Sequence, residues 1–76
     1  MKYKTQNNET VAAGSATELV AKLRQISLWD SGCTDEAFMA NVSRRIAIEK
    51  GVVVSYKTAE AFVQGLIDCG VLVAIA

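Results

Sequence analysis

The sequence predicts an α+β fold: an N-terminal β-hairpin, three helices and a C-terminal βαβ-like unit, with a small mixed sheet of three to four strands covered by helices. Three observations carry this reading. Asn7-Asn8 separates two short segments of strand character. Ser15, Thr34 and Thr58 each stand just ahead of a run with helical spacing. The β-branched runs Val52–Val54 and Val71–Ile75 flank the last of those helices.

The hairpin is expected from Lys2 to Gln6 and from Glu9 to Ala13. Asparagine tolerates the positive φ of a tight turn, and the pairing directs Tyr3 and Val11 to the core and the lysines outward. Gly14 leads into Ser15-Ala16-Thr17-Glu18, a capping-box pattern in which the Ser15 hydroxyl and the Glu18 carboxylate each take an unpaired backbone donor. The helix that starts there is expected to end near Leu28. Leu19, Val20, Leu23 and Ile26 fall on one of its faces, with Glu18, Lys22 and Gln25 on the other, and Glu18 and Lys22 have the spacing of an i,i+4 pair.

Residues 29–32 make the turn to a second helix over 34–50. Thr34 caps it, Asp35 and Glu36 meet the positive end of its dipole, and Gly51 closes it. Cys33 against Phe38 has the spacing of a hydrophobic staple. Phe38, Met39, Val42 and Ile46 form the main stripe, while Ala37, Ala40, Ala47 and Ile48 make the opposite side apolar too, interrupted by Asn41 and Arg44. A helix apolar on two sides needs a second covering element or a second subunit.

Val52–Val54 reads as a short buried strand, and Thr58 then caps a helix over 58–69 whose core face is Phe62, Val63, Leu66 and Ile67. Glu60, Gln64 and Asp68 line its solvent side, and Gly70 ends it. Val71–Ile75 is apolar on both faces and fits an interior strand better than an edge strand. A strand at 52–54, this helix and a strand at 71–75 have the length of a right-handed crossover joining parallel neighbours.

With 76 residues the chain has room for a single small domain, residues 1–76, with stability on the order of 4 to 11 kcal/mol. A hydrophobic fraction of 51% is high for so short a chain, so some apolar surface is expected to stay exposed or to meet another chain. Eight basic and eight acidic residues balance to zero, which removes the long-range field that nucleic-acid and membrane-surface binders use and favours self-association. Met1-Lys2-Tyr3-Lys4 is followed by the polar run Thr5–Thr10 where a signal peptide would place its apolar stretch. No segment has the roughly 20 apolar residues that span a bilayer. A cytoplasmic protein with no membrane partner is the expectation.

The residues offer little chemistry. There is no histidine, hence neither the commonest general base nor the commonest metal ligand. Cys33 and Cys69 lack the paired spacing of a zinc site and read as reduced, structural thiols; a reactive Cys33 beside a helix N-terminus is the alternative. Asp35 and Glu36 are explained by the helix dipole, and Glu60 with Asp68 by a solvated helix face. Ala12-Ala13-Gly14-Ser15 has one glycine where a phosphate loop needs a cluster. No catalytic residue, metal or cofactor is therefore expected.

The order helix, helix, helix, strand resembles that of winged-helix domains, with Thr58 to Val73 in the place of a recognition helix and wing strand. That helix carries Glu60 and Asp68 and no Lys or Arg after Lys57, so nucleic-acid binding is the lesser expectation. Its only basic cluster would be Arg44, Arg45 and Lys50, where Arg45 also has i,i+4 spacing to Glu49. The favoured expectation is a noncatalytic protein-interaction module that self-associates as a homo-oligomer, with contacts from Trp29, Ile48, Arg44 and Arg45 or from the C-terminal strand.

Overall fold

A computed structural model describes residues 1–27 and 32–75. Its elements run β1 (Lys2–Thr5), β2 (Thr10–Ala12), α1 (Ala16–Ile26), α2 (Asp35–Lys50), α3 (Ala59–Asp68) and β3 (Leu72–Ala74). The α+β class, the N-terminal hairpin, the three helices and the C-terminal strand are as the sequence predicts. Trp29 and Leu28, which bear on the first interhelical turn, lie outside the described residues.

The hairpin turns where Asn7-Asn8 predicts. Asn8 takes φ of 63°, a left-handed conformation that asparagine accepts more readily than most residues. The Thr5 amide donates to Glu9 O at 2.9 Å and the Asn8 amide to Thr5 O at 3.1 Å, closing the turn. Tyr3 pairs with Val11 and both are buried, while Lys2 and Lys4 point to water.

Each helix begins on its predicted cap. The Ser15 hydroxyl accepts from the Glu18 amide, Thr34 from the Ala37 amide and Thr58 from the Ala61 amide, all at 3.1 Å. At the first cap the Glu18 carboxylate also accepts from the Gly14 amide at 3.2 Å and pairs with Lys22 at 3.3 Å. Gly51 closes α2 at φ of 68°, where only glycine is unstrained. After α3 the Val71 amide donates to Leu66 O at 3.0 Å and the Gly70 amide to Ile67 O at 3.1 Å, the paired reverse bonds of a Schellman turn, with Gly70 at φ of 83°.

That turn fixes the topology. It sends the chain straight back into β3, which lies antiparallel against β1 with Lys4 opposite Val73, so the sheet order is β2-β1-β3 and every pairing is antiparallel. The expected parallel crossover and mixed sheet are absent among the described residues, because residues 52–54 form no strand. Val54 is used as a packing side chain instead: it is 4% exposed and rests on α3 at Gly65, where an added Cβ would come within 2.6 Å of Val54 Cγ1. β3 is also an edge strand and not the interior strand expected, which leaves Val73 and Ile75 about half exposed.

The core lies between the sheet and the helices. Phe62, Leu19, Val20 and Leu72 are its fully enclosed side chains, and Phe38 of α2 meets Phe62 of α3 edge to face with ring centroids 6.2 Å apart. A partly buried ion pair, Arg24 Nε to Asp35 Oδ1 at 2.8 Å, ties the end of α1 to the start of α2.

Candidate interaction surface

The exposed side of α2 is built by the helical period. At 100° per residue Ala37, Ala40, Arg44, Ala47 and Ile48 share an arc of roughly 100°; the buried Phe38, Met39 and Ile46 lie on the opposite half of the helix, and the buried Ser43 lies at the boundary beside Ala47. The helices α1 and α3 and the sheet can cover only the second set. Ile48 consequently stands 77% exposed.

Residues 52–56 reach part of the first set without enclosing it. Val53 is 91% exposed and Tyr56 50%, and together with Ala40, Ser43, Arg44 and Ala47 they border a groove of about 230 Å³. Ser43 lines the same groove at 7% exposure, and its hydroxyl has no hydrogen-bond partner among the described residues. The groove is lined mainly by Ala40, Ala47, Val53 and Val54, with Ser43, Arg44 and Tyr56 as its polar members.

The predicted basic cluster is divided by α2. Arg44 borders this groove, whereas Arg45 and Lys50 face a second concavity of about 340 Å³ between the hairpin turn and the ends of α1 and α2. There Leu23, Phe38 and Ile46 form the floor, and Glu9 and Glu49 stand on the rim beside the two cations. The three positive charges therefore do not converge on one phosphate-sized target.

The remaining candidates for chemistry have local structural roles. Asp35 is held by Arg24, and Asp68 accepts from Gln64 Nε2 at 2.8 Å. Cys33 and Cys69 are both half-buried free thiols, and Cys69 Sγ lies 3.6 Å from Leu66 O at the end of α3. Among the described residues no three of Cys, Asp and Glu gather as a metal site. Glu18 has its acidity raised: the Gly14 amide, and after it Lys22, hold its carboxyl below the ordinary value.

Of the contact residues the sequence suggests, the structure places Ile48 and Arg44 together on the exposed side of α2 and Arg45 around the helix from them. Trp29 falls outside the described residues. Val53, Tyr56 and Ser43 were not indicated by sequence. The available signal was Gly65, a helical glycine facing the core side of α3: its close approach takes one valine of the 52–54 run and turns the others outward. The chain matches no protein-family model, no curated protein and no solved structure.

Proposed function

We propose that this domain is a noncatalytic protein-interaction module that self-associates. One observation supports the reading above the rest: Ile48, Val53 and Tyr56, each half exposed or more, stand on or beside one face of α2 in a chain with no net charge to keep copies apart. Single exposed apolar residues are ordinary on a small domain; two on the border of one groove with a third, Ile48, on the same side of the helix are less so.

Sedimentation equilibrium over a wide concentration range tests this. A mass that rises from one chain to two or more with concentration supports the module, and a single chain mass up to millimolar concentration removes it. No helix of the described residues is long and apolar enough to cross a membrane. The division of Arg44 from Arg45 and Lys50 weighs against the nucleic-acid alternative, and a flat low-salt titration with DNA and RNA on the same samples would complete that argument.

A further inference from the structure

Resting on the self-association reading, we infer that the contact is an antiparallel pairing of α2 with α2 of a second copy, about a two-fold axis level with residues 42–43. A symmetric contact must be self-complementary: if residue i meets residue j, then j meets i. Helix α2 has this property along its exposed side. About that axis, Ala37 lies opposite the partner's Ile48, and Ala40 opposite the partner's Arg44.

Small meets large at each crossing. The alanines let the helix axes approach, and Ile48, 77% exposed in the single chain, gains a place to be buried. The two copies of Arg44 stand only about 4.5 Å apart along the helix direction, so their long stems must carry the guanidinium groups out of the contact to water. Charge follows the pattern as well. The start of the helix is acidic and its end basic; Glu36 and Lys50 stand about 70° and 110° from the centre of the exposed arc on the same side, so the axis brings Glu36 near the partner's Lys50, whose long side chain stands at the margin of the second concavity. Both are exposed, and neither has an ion-pair partner among the described residues. Val53 and Tyr56 extend the contact from the bordering segment, and each α2 dipole runs against its neighbour's.

The sheet edges offer less. Lys22 Nζ already occupies Ala12 O on the β2 side, and on β3 Leu72 is 2% exposed, which leaves only the short stretch from Val73 onward open to a new strand.

The test uses two variants in a Cys33→Ser, Cys69→Ser background, Ala37→Cys and Ile48→Cys, made distinguishable by mass. Disulfide formation needs Cα atoms within about 4.4–6.8 Å, so each variant alone should cross-link slowly. A mixture of the two should give the mixed dimer at least about tenfold faster, through the raised effective concentration of facing thiols. In the native-cysteine chain, Glu36→Lys and Lys50→Glu should each weaken the dimer about twofold or more, and the double variant should restore it.

A sedimenting dimer without preferential mixed cross-linking, or without restoration by the double variant, overturns the antiparallel α2 contact and leaves self-association standing. A chain that stays monomeric overturns both.

Discussion

Gly65 in α3 is a helix-interior glycine, and replacing it with alanine sets two effects of known size against each other. Removing a glycine from a helix interior favours folding by up to about 1 kcal/mol, because the unfolded chain loses freedom that only glycine has. The new Cβ would stand 2.6 Å from Val54 Cγ1 and 3.4 Å from Val54 Cβ, against a favourable carbon separation of about 3.5–4.0 Å. Val54 is 4% exposed, and its two methyls leave few χ1 choices, so it cannot rotate clear of the overlap. Overpacking of that kind costs about 1–3 kcal/mol, and Gly65→Ala should therefore destabilise by about 0–2 kcal/mol net.

The sharper test is the cycle with Val54→Ala. In that background Cγ1 is gone, and Gly65→Ala should stabilise by about 1 kcal/mol, giving a coupling of about 1–3 kcal/mol between the two positions. Urea unfolding followed by far-ultraviolet circular dichroism reads this directly. With a slope of about 1–3 kcal/mol per molar for a small domain, 1 kcal/mol moves the midpoint by about 0.3–1 M. All four proteins must be compared at one low concentration, so that the proposed self-association adds no stability by mass action. If Gly65→Ala raises the midpoint equally with valine and with alanine at position 54, the packing of the 52–54 segment on α3 is refuted.

Three further predictions follow from the same structure. Ser43→Ala removes a buried hydroxyl that has no partner and should leave stability unchanged or raise it by about 1 kcal/mol; a loss above that in urea unfolding would show a bond the hydroxyl makes. Thr34→Ala deletes the cap of the longest helix and should cost about 1 kcal/mol, seen as a Tm lowered by about 4–8 °C, with Thr34→Ser restoring most of it. Glu18 should titrate below its ordinary value of 4.5 when followed by carboxyl nuclear magnetic resonance. Its folded-state value is depressed, so its contribution to stability is full above the unfolded value and is lost as pH falls through the folded one. Lys22→Ala should move that titration part of the way back, because the Gly14 amide remains the larger cause.

Local features were legible in the sequence because local physics determines them. Ser15, Thr34 and Thr58 mark helix starts through bonds to amides three residues on, and Asn8, Gly51 and Gly70 take the positive φ angles that their positions require. Pairing between distant segments was not legible. Val52–Val54 and Val71–Ile75 have similar composition, yet one becomes a connector and the other a strand. What separates them is outside both segments: the Schellman turn after α3 delivers β3 to the free side of β1, while Gly65 draws Val54 into a side-chain contact.

The candidate surface was half legible for the same reason. The two-sided apolar pattern of α2 pointed to Ile48, and the basic cluster to Arg44, but Val53 and Tyr56 stand beside α2 only because residues 52–56 fail to pair with the sheet. The adjacency of Arg44 and Arg45 in sequence was misleading in the opposite way. Consecutive helical residues are turned 100° apart, and these two border different concavities.

The central place of β1 sets an order in which the chain can fold. Tyr3 reaches Val11 across eight residues and Ala74 across seventy-one, so closing the second pairing in an open chain costs about 2 kcal/mol more entropy than closing the first. The hairpin can form early by itself, but its Tyr3–Val11 face has nothing to rest on until the helices arrive, and the second edge of β1 is open until residues 72–74 are made. Until then one edge of β1 stays open, and the last pairing to close is the long-range one between β1 and β3, the kind of step that topology makes slowest.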